Sequence, residues 1–288
     1  MCLHDELPLW CIVQADGDRL QLTSRGPVPL QYCSMRESVV PIQRSLQRAL
    51  RISKPRQIVL TVAEAHRRWW SDPLWCIPPH RRVVDESSGR RTVTLAAALA
   101  LVEREAGDPV LVVQPADTFY ASESAFVAGV TRAVRTLERL PAHVVTLTVD
   151  GYTSEPEQDY LLLGGEDGLP GRSAVRFIKR PQPMIAERLL QLGARLSTGV
   201  YIARLSTLSL ILEELWPDLV AEARSLAATA AGELLTPARM IGSQFCRPWR
   251  HTWVQRPLPR LRAVAVDDFG WSPVDSATAS ASASRRSL

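Results

Sequence analysis

Apolar residues in this chain come in two textures: short continuous runs, and longer stretches in which they recur every three or four positions. The runs Leu9 to Val13, Gln57 to Val62, Arg82 to Asp85, Val110 to Thr118 and Val144 to Val149 read as strands. Between them, Ile42 to Leu50, Thr92 to Val102 and Ala125 to Leu137 carry helical spacing. Strand and helix therefore alternate, which predicts an α/β fold on a doubly wound, mainly parallel, Rossmann-like sheet with right-handed crossovers. The run Val110 to Val113 is apolar at every position, as a strand covered on both faces must be. Pro115-Ala116-Asp117 stops that strand and leaves a carboxylate at its C-terminal end, the edge where open α/β sheets bind ligands. An Asp in that place also serves as a turn former or helix cap.

From Asp150 the texture changes. Tyr152 to Gly171 reads as a turn-rich hairpin insertion, continued by a strand that ends at Pro181. Ile185 to Leu192 follows as a helix, Gly199 to Ala203 as a strand, Leu205 to Leu215 and Leu219 to Ala231 as helices, and Val264 to Phe269 as a last strand. Pro237 to Pro259 is irregular and rich in Arg, Trp and Pro. The segment Ala277 to Leu288 alternates Ala and Ser and is expected to be disordered. The expected organisation is one domain, residues 1–276, with halves at 8–149 and 150–276 and a tail at 277–288.

Composition narrows the function classes. With 288 residues, 46% hydrophobic and 22% charged, the chain is an ordinary globular one. The 34 basic and 30 acidic residues leave a formal charge of only +4, too little to point to nucleic acid or a membrane surface. Cys2, Cys11, Cys33, Cys76 and Cys246 are scattered, odd in number and without metal-ligand spacing, so reduced structural thiols are expected. No basic leader precedes an apolar run, and no apolar stretch reaches the roughly 18 residues of a spanning helix. The expected location is the cytoplasm.

Candidate chemistry begins after the first strand. Gln14 to Tyr32 gives a turn with Gly17 and then arginines and prolines, either a phosphate-handling loop or a plain polar connection. Thr92 stands near a helix N-terminus, where free N–H groups and the helix dipole favour an anion. The tryptophans Trp69, Trp70 and Trp75 form an aromatic stripe that suits a core or a partner surface.

Taken in order, these motifs resemble the sugar-nucleotidyltransferase family, and within it the mannose-1-phosphate guanylyltransferase branch, over roughly residues 8 to 276. The family's Gly-Gly-x-Gly-x-Arg-Leu, Ser/Thr-Arg and Pro-Lys-Gln-Phe opening is similar to Gly17, Arg19, Leu20, Ser24, Arg25 and Pro29-Leu30-Gln31-Tyr32. Its Glu-Pro-x-x-Arg-x-Thr-Ala resembles Glu86, Arg90 and Thr92, and Pro115-Ala116-Asp117 its Pro-Ala/Ser-Asp-His. Pro156-Glu157 with Tyr160, Phe177 to Pro181, Gly193 to Gly199 and Gly270-Trp271-Ser272 echo its later motifs.

The resemblance implies a GT-A type nucleotidyltransferase sheet and attack of a sugar 1-phosphate on the α-phosphorus of a nucleoside triphosphate, with release of pyrophosphate. It implies Asp117 as a ligand of Mg²⁺, with Arg19 and Arg180 as catalytic cations. It puts Gly17, Arg25, Glu86 and Thr92 on the nucleotide, and Glu157, Lys179 and Ser197 on the sugar. A homo-oligomer or an active paralogue is the implied protein partner. The departures are as specific. Gln14 and Ala15 stand for two glycines, Leu30 for a lysine, Lys179-Arg180 for Glu-Lys, Ser197 for an asparagine and Pro273 for a second metal-binding Asp. Asp268 and Asp275 lie near that place but out of register. The expectation is a kept scaffold with impaired catalysis, or else a non-catalytic binding or regulatory subunit.

Overall fold

A computed structural model describes residues 9–24, 26–33, 40–70, 77–86, 90–151, 158–230, 235–236, 260–266 and 270–273. Arg25, Glu157, Trp75, Asp268, Asp275, the segment 237–259 and the Ala/Ser tail lie outside the described residues. In chain order the elements are β1 (Leu9–Ala15), the hairpin β2 (Leu20–Thr23) and β3 (Gly26–Pro29), α1 (Pro41–Ile52), β4 (Ile58–Ala63), the short α2 (Arg67–Trp70) and β5 (Arg82–Asp85). Then come α3 (Arg91–Ala106), β6 (Val110–Pro115), β7 (Thr118–Phe119), α4 (Glu123–Arg139) and β8 (Val144–Val149). The second half adds β9 (Asp159–Leu163), β10 (Arg172–Lys179), α5 (Pro183–Gln191), β11 (Arg195–Arg204), α6 (Leu205–Leu215), α7 (Pro217–Thr229), β12 (Leu261–Ala265) and β13 (Ser272–Pro273).

The main sheet has nine strands in the order β5-β4-β1-β6-β11-β8-β12-β10-β9. β5, β4, β1 and β6 run parallel, so their C-terminal ends share one edge. β11 enters antiparallel between β6 and β8, and β12 lies parallel to β8. The expected α/β sheet is therefore present: its first half is parallel as read from the sequence, and the second half is mixed. The strand expected over Val264 to Phe269 begins three residues earlier, at Leu261, because pairing of Leu261 with Val144 through Ala265 with Thr148 sets its register; residues 267–269 of the expected run lie outside the described residues.

Alternation along the strands feeds two cores. Leu9, Cys11 and Val13 of β1 join a cluster with α1 and α4, whereas Trp10 and Ile12 face the other way, into one with α3, α6 and α7. That period of two, apolar on both faces, is what a strand between two helical layers requires. Cys11 and Cys33 are free and buried, and burial pushes the Cys11 thiol up to about 12, so this sulfur packs as a small apolar group. Trp70 is buried and donates from Nε1 to the carbonyl of Ala63 at 2.7 Å, which places it in the core.

One charge lies inside the first cluster. The Arg48 side chain is fully buried between Tyr120 and Phe126, with its guanidinium 4.0 Å from the Tyr120 ring centre. It donates to Glu123 from Nε at 3.1 Å and from Nη2 at 3.3 Å, and to Gln114 at 3.4 Å, so it ties α1 to β6 and to the start of α4. Removing the acid strands this cation, a loss that typically costs about 3 kcal/mol or more. Glu123→Ala is therefore expected to lower the urea midpoint by an equivalent of about 3 kcal/mol, whereas Glu138→Ala on the solvent side of α4 leaves it unchanged within about 0.5 kcal/mol.

Candidate functional site

The parallel half of the sheet aims its chemistry at one edge. Gln14 of β1 pairs with Pro115 of β6, so Asp16 and Asp117, each two residues further on, leave adjacent strands at the same level. A third carboxylate, Asp85, closes β5 and is buried. Facing them is the N-terminus of α3, whose first turn has no acidic residue and starts with two arginines, Arg90 and Arg91. Arg90 pairs with Asp85, Nε to Oδ2 at 3.0 Å. Arg91 donates from Nη2 to Oδ2 of Asp117 at 3.2 Å.

Asp16 is fully buried and accepts from Thr61 of β4 at 3.0 Å and from Thr94 of α3 at 2.5 Å. Burial raises its pKa; Arg91 and the two threonines pull the other way without cancelling the rise. For Arg91 burial alone would lower the pKa, but Asp117, Asp16 and, to a smaller extent, Asp18 outweigh it and hold the guanidinium above its usual value.

The loop after β1 is shaped around these charges. Gly17 lies against the Arg91 guanidinium, and a Cβ at this position would collide with it. Gln31 pins the loop from the other side, its Nε2 donating to the carbonyls of Ala15 at 2.8 Å and Gly17 at 3.1 Å. Gln14, which stands where the resemblance expects a glycine, takes on a structural role, its amide donating to the Arg91 carbonyl at 3.2 Å and steadying the start of α3. Leu30 points into the protein, 2% exposed, and offers the edge no charge. His66 is buried beside Gln31, whose Nε2 lies 3.5 Å from the His66 Nδ1; burial lowers the His66 pKa, although Asp16 and Asp18 act to raise it.

Of the sugar-side residues of the resemblance, Ser197 and Lys179 are among the described residues and lie on strands of the mixed half of the sheet. Ser197 of β11 is buried and pairs with Thr148 of β8, and the next residue back, Leu196, pairs with Tyr160 of β9. Across β9 and β10, Asp159 pairs with Lys179, so Lys179 is two strands from Ser197 and exposed. Arg180 follows, exposed and with φ at +37°, a backbone region that non-glycine residues rarely enter. Between Ser197 and Tyr201 the register shifts, and Gly199 takes φ +77° there. This bulge is held by Thr198, donating to the Leu147 carbonyl at 2.9 Å, and by Thr146, donating to that of Val200 at 3.0 Å. Bulges of this kind re-aim side chains beside active sites.

Of the other expected residues, Arg19 is partly exposed in the loop after β1, Glu86 is exposed just past β5, and Thr92 is fully buried in the first turn of α3. The edge thus brings Gly17, Arg19, Asp117 and the start of α3 together, with Ser197 and Lys179 on the strands beyond. Asp16 and Arg91 escaped sequence reasoning. Their signals were an acid two residues past the β1 pairing register, and two arginines opening a helix where acids are favoured.

Among the described residues, the carboxylate expected to hold Mg²⁺ is already engaged by a cation. One oxygen of the Asp117 carboxylate is paired with Arg91, and the backbone of Pro273 in β13 pairs with that of Thr118 in β7, the residue after Asp117, so a proline stands at the position where a second metal-binding Asp was expected. No group of three or more His, Cys, Asp or Glu side chains among the described residues is arranged to hold a metal. Also among the described residues, no helix is long and apolar enough to cross a membrane.

The Asp16 environment makes a pH prediction. Its folded-state pKa lies above the unfolded value, so its contribution to stability is complete below the ordinary carboxylate pKa and is lost as pH rises through the raised one. Denaturation midpoints of the wild type are expected to fall relative to those of Asp16→Asn as pH is taken upward from 4. Parallel midpoint curves for the two proteins would contradict the assignment.

No family model matches the chain. It is 29% identical over 182 residues to a Vibrio cholerae protein named putative mannose-1-phosphate guanylyltransferase, covering 62% of this chain and 38% of that one. It is 27% identical over 210 residues to mannose-1-phosphate guanylyltransferase RfbM of Salmonella typhimurium, covering 70% of this chain and 43% of that one. The chain thus spans about two fifths of the length of the curated relatives it matches. Among solved structures, that of a Thermus thermophilus protein named mannose-1-phosphate geranyltransferase superposes with a TM-score of 0.73 at 19% identity, over 92% of this chain and 76% of the other. The curated relatives bear out the resemblance to the sugar nucleotidyltransferases, and the solved structure bears out the likeness of fold.

Proposed function

We propose that the chain binds a nucleoside triphosphate, GTP in the first instance, at the C-terminal edge of its parallel strands, and a sugar 1-phosphate of the mannose 1-phosphate type beside it. The observation that carries this reading is the meeting of Gly17, Arg91 and Asp117 at one edge, with Ser197 and Lys179 on the adjoining strands. The relatives' names supply the substrates; the edge supplies a glycine turn, fixed cations and a helix N-terminus, the groups a polyphosphate needs.

In the reaction, an oxygen of the sugar phosphate attacks the α-phosphorus and pyrophosphate leaves. The resemblance assigns Gly17, Arg25, Glu86 and Thr92 to the nucleotide and Glu157, Lys179 and Ser197 to the sugar, with Arg19 and Arg180 as the cations that meet developing negative charge. Glycosyl phosphate and triphosphate are both anions, so cations on both halves of the edge suit them. The inward Leu30 and the proline at 273 leave two of the charged groups that the resemblance expects absent from these positions. Each lost electrostatic group typically costs about 10² to 10³ in rate, so turnover is slow. These losses also favour a second reading, a nucleotide-binding regulatory subunit that works beside an active paralogue.

Calorimetric titration with GTP and with mannose 1-phosphate, alongside a pyrophosphate-release assay, separates the two readings. Binding of both ligands with slow release is expected, and Lys179→Ala is expected to weaken mannose 1-phosphate by about tenfold while leaving GTP affinity unchanged. Binding without any release moves the conclusion to the regulatory reading, and absence of binding to either ligand contradicts both.

A further inference from the structure

We propose that Arg91 is the resident cation of this edge: it holds the place beside Asp117 that a divalent ion would take, and a phosphate group binds against its guanidinium without added metal. This rests on the nucleotide-site reading above and deepens it.

The first support is that Arg91 breaks a local rule. It is the first residue of α3, where aligned peptide dipoles already place partial positive charge and acids are favoured. The neighbouring helix α4 obeys the rule: Ser122 caps it by accepting from the Ala125 amide at 3.2 Å, and Glu123 is its first residue. A cation at the start of α3 is a local cost, and what offsets it lies across the edge, in Asp117 and Asp16. Sequences depart from local consistency mainly where function demands it.

The second support is the surrounding shape. Gly17 gives the guanidinium its room, and the Gln14 amide fixes the Arg91 backbone at 3.2 Å. Arg91 and Asp117 stay 11% and 12% exposed, so the pair is covered yet reachable from the edge. The third is chemistry. A guanidinium is permanently charged and carries five N–H donors in a planar fork that matches phosphate oxygens, more than one carboxylate oxygen uses. A divalent ion at Asp117 would have to share this one carboxylate with the guanidinium that engages its Oδ2, two positive charges on one acid.

The test has two arms. GTP is titrated calorimetrically in EDTA and again in Mg²⁺; separately, Mn²⁺ is titrated into nucleotide-free protein and the free ion followed by electron paramagnetic resonance. Wild type is expected to bind GTP with the same affinity in both buffers and to leave the Mn²⁺ signal unchanged. Arg91→Gln is expected to lose about tenfold or more of the affinity measured in EDTA, the usual worth of a charge-assisted hydrogen bond, and to gain Mn²⁺ binding that Asp117→Asn removes. Arg91→Lys keeps the charge and is expected to keep Mn²⁺ out even where the Gln variant folds poorly. GTP binding by wild type that requires Mg²⁺, or Mn²⁺ binding by wild type that Asp117→Asn abolishes, overturns the proposal. If GTP binds in neither buffer, the nucleotide reading itself fails and the phosphate half of this proposal with it, while the Mn²⁺ arm still decides whether Arg91 keeps a metal from Asp117.

Discussion

Two carboxylates that leave adjacent parallel strands at the same level repel one another unless a positive charge stands with them. Here that charge is the Arg91 guanidinium, paired with Asp117 and within electrostatic reach of Asp16. The design of the edge follows from this constraint. Asp16 is buried on two threonine hydroxyls, the loop after β1 is a glycine where the guanidinium passes, and α3 begins where its first side chain reaches Asp117. Gln31 and Gln14 then fasten that loop and that helix through backbone carbonyls, which adds no further charge.

The same economy is visible in the core. Arg48 is enclosed by aromatic rings and answered by Glu123, so the helical layer carries its one described, fully buried guanidinium as a neutral pair. On the sheet, the β11 bulge at Gly199 turns the antiparallel strand beside the edge. The parallel strands supply a fixed charged floor, and the mixed half supplies a re-aimed wall on which Ser197 and Lys179 stand.

Much of this was legible along the chain. Val144–Val149, Arg82–Asp85 and Leu205–Leu215 were readable to the residue, because continuous burial or helical spacing leaves one choice of element. Asp117 was legible because an apolar run and a proline announce a strand end. The start of β12 was missed by three residues because its register comes from pairing with β8, and no local pattern encodes a pairing made so far away. Asp16 and Arg91 were passed over for the same reason: the bond from Thr94 to Asp16 spans 78 positions, and the Arg91 pair with Asp117 spans 26. Gln14 looked like the loss of a glycine, whereas its value lies in a contact 77 positions away. Local chemistry was read well; charge balance between distant segments was not.

The central claim is that a phosphate-bearing nucleotide is held at this edge by the chain's own cation. The most direct measurement is a crystal structure of the full chain grown with GTP and EDTA. The account predicts the phosphates over Gly17 and the start of α3, in hydrogen-bond contact with the Arg91 guanidinium while Arg91 still pairs with Asp117. Nucleotide bound elsewhere on the molecule, or Arg91 swung away from both Asp117 and the phosphates, would contradict it.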